Sequence, residues 1–110
     1  MSWTIGYYSQ AVQREIVALP VRLQARYIHL TQRMIVFGAD LGMPHTRSKG
    51  DGLFELRLKG AEGIARVLYC TLVGRCILML HSFVKKPEKT PPKELAVAQR
   101  RMKEIKNAYS

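Results

Sequence analysis

Two arginines and a histidine, Arg57, Arg66 and His81, stand on three successive segments that read as strands, the first of which, Leu53–Lys59, alternates between apolar and polar. A basic tract, Lys85-Lys86 with Lys89, follows the third. If residues 60–63 form a four-residue loop, Arg57 faces Arg66 and Lys59 faces Ile64. If Val73–Gly74 is a two-residue turn, Leu72 faces Arg75 and Arg66 faces His81. Strand side chains alternate faces, so Arg57, Arg66 and His81 then form one row across a sheet. The same face carries Glu55, Lys59, Phe83 and Lys85. The opposite face carries Phe54, Leu56, Leu58, Val67, Tyr69, Leu78 and Leu80. Like charges directly opposed across strands destabilise a sheet unless an anion lies between them. Arginine forks hold phosphate oxygens in pairs, so the row reads as a phosphate site.

A site lined by cations leaves few chemistries, and phosphoryl transfer within RNA is the natural one. RNA supplies its own nucleophile, the 2′-hydroxyl, so the protein has only to position the strand, stabilise charge and move protons. Arg57 and Arg66 would hold the phosphate, Lys85 or His81 would move the proton, and Phe83 would stack on a base. Each residue has a plainer reading too. Arg57 could form an ion pair with Glu55 or Glu62, His81 could be structural, Phe83 could belong to the core, and the lysines could lie on a solvated loop. The sequence contains no metal-ligand cluster, no phosphate-cradling glycine loop and no nucleophile elbow, so neither a metal nor a cofactor is expected.

The elements that must position these residues follow from periodicity. Thr4–Tyr8 reads as a short strand, and Ser9 as the N-cap of a helix through Leu19. Pro20 fits the first turn of a second helix, on which Leu23, Tyr27, Leu30, Met34 and Phe37 recur at alternating steps of four and three; Gly38 caps its end. The two helices form a hairpin with one apolar side. Residues 38–52, with four glycines and a proline, read as a loop. Strands are expected over Leu53–Lys59, Ile64–Leu72 and Arg75–Val84. Thr90 and Pro91 start a final helix carrying Leu95, Ala98, Met102, Ile105 and Tyr109 on one face. The expected fold is α+β: an N-terminal strand, a helix hairpin, a three-stranded antiparallel meander and a C-terminal helix, in one domain over residues 1–110.

Composition sharpens this. The net charge is +10 over 110 residues. Residues 1–55 hold six Lys/Arg against four Asp/Glu, and residues 56–110 hold twelve against four. A field so one-sided attracts phosphate backbones. Cys70 and Cys76 are too few for a disulfide framework and read as core. No apolar run approaches the roughly 20 residues of a membrane span. The first twenty residues hold Arg14 and Glu15 and no apolar block, so a cytoplasmic protein without a secretory signal is expected.

The segments Leu53-Phe54-Glu55-Leu56-Arg57, Ala65-Arg66-Val67-Leu68-Tyr69 and Leu80-His81-Ser82-Phe83-Val84-Lys85-Lys86-Pro87-Glu88-Lys89-Thr90-Pro91 closely resemble the phage-derived, HigB-like branch of the RelE/ParE toxin superfamily. Ser82 and Pro87 depart from it, where glycine and threonine are usual. The resemblance implies a toxin of a type II toxin–antitoxin system with a RelE-like fold. It implies a ribosome-associated endoribonuclease that cuts mRNA, and neutralisation by a small antitoxin, often a helix-turn-helix protein. Arg57, Arg66, Lys85 and Lys86 match the family's basic active-site positions, and Glu55 and His81 match catalytic or supporting ones; Lys59 and Lys89 join Phe83 as substrate-binding candidates. Lys89, Lys93, Arg100, Arg101, Lys103 and Lys106 form an expected ribosome-docking face. Two alternatives stay open: a ParE-like inhibitor of DNA gyrase that does no chemistry, and a regulatory nucleic-acid-binding module.

Overall fold

A computed structural model describes residues 2–84 and 90–108. Strand β1 (Thr4–Tyr7) leads into helices α1 (Gln10–Val17) and α2 (Val21–Phe37). Strands β2 (Thr46–Gly50), β3 (Leu53–Gly60), β4 (Gly63–Leu72) and β5 (Cys76–Val84) follow, and helix α3 (Pro92–Ala108) ends the series. The fold is α+β, as expected. The sheet order is β1-β5-β4-β3-β2; β1 runs parallel to β5, and the other pairs are antiparallel.

The helix hairpin forms for the reasons its sequence gives. Ser9 is extended and its Oγ accepts the Val12 N–H at 3.2 Å, meeting one of the donors a helix start leaves unpaired. α1 ends two residues earlier than expected, at Val17. Gly38 closes α2 with φ +102, a conformation that β-carbon-bearing residues resist, and the Trp3 indole packs against it.

The sheet contains a strand that hydrophobic periodicity does not reveal. β2 lies inside the glycine-rich segment read as loop, so the meander has four strands rather than three. Its sequence, Thr-Arg-Ser-Lys-Gly, buries Thr46 alone. It is an edge strand, with a bulge between Ser48 and Gly50 and charged side chains that discourage further pairing.

The β3–β4 register is the expected one, with Arg57 opposite Arg66 and Lys59 opposite Ile64. The β4–β5 register differs twice. The turn has three residues, so Leu72 faces Cys76, with Gly74 and Arg75 at positive φ. A bulge between Leu68 and Tyr69 then places Leu68 opposite His81 and Tyr69 opposite Met79. Two one-residue shifts add to two, which preserves the face on which side chains lie beyond the bulge. Arg66 therefore faces Phe83, not His81. Between turn and bulge the parity is reversed: Ile77 and Met79 pack under the helix hairpin, whereas Leu78 and Leu80, expected there, lie on the opposite face.

Both faces of the sheet are covered. The first core joins Val12, Ile16, Leu23, Tyr27, Leu30 and Met34 of the hairpin to Leu56, Leu58, Val67, Tyr69 and Met79. The second joins Leu53, Leu68, Cys70, Leu78, Leu80 and Phe83 to Ala98 and Met102 of α3. α3 thus covers part of the face carrying the two arginines. Cys70 is buried there, and neither it nor Cys76 forms a disulfide. Leu58 is wholly inaccessible. Leu58→Ala is expected to lower unfolding free energy by about 2–5 kcal/mol, read as a lower urea midpoint at unchanged slope.

Candidate active site

Farther along that face, β3 and β4 place Arg57 beside Arg66. The two differ in surroundings. The Arg66 side chain is 2% exposed; its Nη1 donates to Thr90 Oγ1 at 3.4 Å and lies 3.8 Å from Glu55 Oε2. Thr90 Oγ1 in turn donates a short hydrogen bond to Glu55 Oε2, and Lys49 Nζ approaches the same oxygen at 3.5 Å. Glu55 is thereby occupied by Arg66 of β4, Lys49 of β2 and Thr90 just before α3. A buried arginine so held is fixed in place, which suits positioning better than stability.

Arg57 is half-buried and forms no ion pair among the described residues. The plainer reading of this side chain paired it with Glu55 or Glu62. The geometry goes otherwise: the Glu62 carboxylate accepts the backbone N–H of Arg22 at 3.5 Å. Arg57 Nε is buried without a hydrogen-bond partner among the described residues. Its uncompensated charge lines a cleft with Arg66, Glu55, Thr46, Arg47 and His45.

His45 is the residue that sequence reasoning missed. Its N–H donates to Gly42 O at 3.0 Å and its carbonyl accepts the Arg57 N–H at 2.9 Å, so the backbone ties it to Arg57. The preceding turn is knotted by Asp40, whose Oδ1 accepts from Gly42 N and Thr46 Oγ1, both at 3.0 Å. The ring itself makes no hydrogen bond among the described residues. Burial, then the charges of Arg33 and Arg26 and the neighbouring His29, hold its pKa below the ordinary histidine value. At neutral pH it is an uncharged base. The sequence did carry a signal for the strand that places it: Gly50-Asp51-Gly52 directly before an alternating segment is a hairpin turn, here with all three residues at positive φ.

The other expected site residues are distributed as follows. His81 Nε2 lies 3.1 Å from Glu94 Oε1 on the first turn of α3, and its Nδ1 is buried without a partner among the described residues. Its contacts bridge the sheet to α3. Phe83 is buried in the second core opposite Arg66, with its ring 5.9 Å from that of His81. Lys59 is exposed beside Arg57 in a cleft shared with Arg26, Pro44 and His45. Lys85, Lys86 and Lys89 lie outside the described residues. On α3, Lys93, Arg100, Lys103 and Lys106 are exposed. Arg101 instead donates to Leu80 O at 2.8 Å and stacks 5.0 Å from the Tyr8 ring centroid, which ties the helix to the sheet.

The family model for phage-derived Gp49-like proteins matches residues 14–103. The chain belongs to the Gp49-like family. This is a family of RelE-like toxins, which places the chain among toxins of type II toxin–antitoxin systems, with an antitoxin as the general partner. The fold agrees. A free-state structure of an arginine-to-alanine double mutant of the E. coli toxin RelE superposes with a TM-score of 0.67 at 10% identity, covering 93% of this chain and 99% of that one. No curated protein matches the sequence. Among the described residues of this Gp49-like protein, no helix is long and apolar enough to cross a membrane.

Proposed function

We propose that this Gp49-like toxin is a single-domain, cytoplasmic, ribosome-dependent endoribonuclease that cuts mRNA by attack of the 2′-hydroxyl on the adjacent phosphate. The observation that carries the reading is Arg57, a cation without an ion-pair partner among the described residues, set across from buried Arg66 at the mouth of a cleft. A phosphate between the two forks relieves the repulsion that their pairing creates. The 2′-oxygen bonds to phosphorus as its proton leaves to a base, the bond from phosphorus to the 5′-oxygen breaks, and that oxygen takes up a proton. The products carry a 2′,3′-cyclic phosphate and a 5′-hydroxyl.

Arg57 and Arg66 stabilise the charge that builds on the phosphate oxygens. His45, neutral and tied to Arg57, is better disposed to accept the proton than His81, whose Nε2 is engaged by Glu94. Lys85 and Lys86 remain the family-implied basic partners, and Lys59 and Lys89 contacts to the strand. A small antitoxin, in this reading a helix-turn-helix protein, would block the cleft. Primer extension on messages after induction is the test: discrete cuts within translated frames are expected. Intact messages with loss of DNA supercoiling would instead establish a ParE-like gyrase inhibitor.

A further inference from the structure

Helix α2 carries Arg22, Arg26, His29 and Arg33 at spacings of four, three and four, and no Asp or Glu among its 17 residues. At 100° per residue these four side chains fall within about 60° of one another along a line of about 16 Å. The opposite side of the helix is buried through Leu23, Tyr27, Leu30 and Met34. Arg22, Arg26 and His29 are exposed and Arg33 half-buried, and none forms an ion pair among the described residues. Arg22 and Arg26, four residues apart, cost helix stability by like-charge repulsion, and Arg33 extends the same cationic row, so the face suits an anionic partner.

The stripe continues into the active site. β2 pairs with β3 only as far as Leu56, and beyond the Arg57 N–H bond to His45 no described strand lies along the outer edge of β3. Two clefts meet at that edge. One, of about 220 Å³, joins Arg57, His45 and Lys59 to Arg26. The next, of about 380 Å³, joins Lys59 and Gly60 to Arg22, Arg26 and His29. Arg26 and Lys59 line both. A cationic path therefore leads from the two-arginine cleft, around the sheet edge, onto α2.

We propose that this path binds the backbone of the single RNA strand being cut, extending the substrate site beyond the scissile phosphate. The inference rests on the nuclease reading for the identity of the strand. The occupant is one strand because in-line attack by a 2′-hydroxyl needs a nucleotide free to turn out of a helix. The path, and not the α3 face, then carries most of the phosphate contacts.

The test is equilibrium binding of a 2′-O-methyl single-stranded 12-mer, which cannot be cut, across a salt series. Replacing Arg22, Arg26 and Arg33 together by glutamine is expected to weaken binding at least tenfold at low salt. It should also flatten the log–log salt slope by about 2, since each contact on single-stranded RNA contributes about 0.7. The matched α3 variant, Lys93→Gln with Arg100→Gln and Lys103→Gln, is expected to move affinity less than threefold. If the triple α2 variant fails to fold, Arg26→Gln alone should flatten the slope by about 0.7.

An α2 variant with wild-type slope and affinity overturns the proposal. So does a loss that tracks the α3 variant, a wild-type chain that binds no RNA, or a stronger preference for an RNA duplex. Cleavage of ribosome-bound message, assayed on the same proteins, separates the two claims. Cutting by wild type with an unaffected α2 variant removes the path and leaves the nuclease; binding through α2 with messages left intact does the reverse.

Discussion

Arg57→Ala is expected to slow message cleavage about 10²–10³-fold, the loss seen when one donor to a developing oxyanion is removed. The melting temperature should change little, because Arg57 holds no ion pair among the described residues and is opposed by a like charge. Arg66 behaves differently. Its guanidinium is buried against Glu55 and Thr90, so Arg66→Ala empties a buried site and leaves Glu55 to Lys49 and Thr90, and should cost stability as well as activity. Arg66→Lys keeps the charge but loses the fork, and a large loss of cleavage in a protein that still melts near the wild-type temperature isolates the phosphate role. Cleavage undiminished in both Arg57→Ala and Arg66→Lys would remove the two-arginine cleft from the mechanism.

The second large effect concerns His45. A general base contributes about 10²–10⁴-fold, so His45→Ala should slow the single-turnover rate by at least the lower figure. The pH dependence tests the assignment more sharply. The groups facing the ring are Arg26, His29 and Arg33 from α2 and Arg57 and Lys59 from β3, all cationic or able to become so. Burial and then their charges favour the neutral ring, so the acidic limb of the activity profile is expected below the ordinary histidine value. Arg33→Gln removes one of those charges and should move the acidic limb upward toward that value. An acidic limb that stays in place in Arg33→Gln, or persists in His45→Gln, assigns the titration to another group.

Much of this was legible in the sequence because the strongest signals were local. The four-three spacing of α2, the Ser9 cap and the alternation in Leu53–Gly60 each report one element's own burial, and the loop between β3 and β4 is short enough to fix Arg57 against Arg66. What escaped depended on non-local pairing. β2 has no apolar alternation because an edge strand with one buried residue needs none. His45 was hidden with it, inside a segment whose glycines read as a loop. The bulge opposite Leu68 is a choice of the folded sheet, so the inward and outward assignments of Leu78 and Leu80 were reversed while those of Phe83 and His81 survived. The apolar stripe on α3 signalled a buried face without naming it; Leu68 and Cys70, on the same face of β4 as Arg66, were the available clue.

The central claim is that a fold with two opposed arginines cuts RNA at its own 2′-hydroxyl. The most direct measurement programs purified ribosomes with a defined message, adds purified toxin in buffer with and without EDTA-washed reagents, and analyses the ends of any fragments. The account predicts cuts within the decoded frame whose upstream fragments end in a 2′,3′-cyclic phosphate. The downstream fragments should carry a 5′-hydroxyl that becomes ligatable only after phosphorylation, and Arg57→Ala should yield almost none. Fragments bearing 5′-phosphates, equal cutting by Arg57→Ala, or a message that stays whole while translation proceeds normally would contradict it.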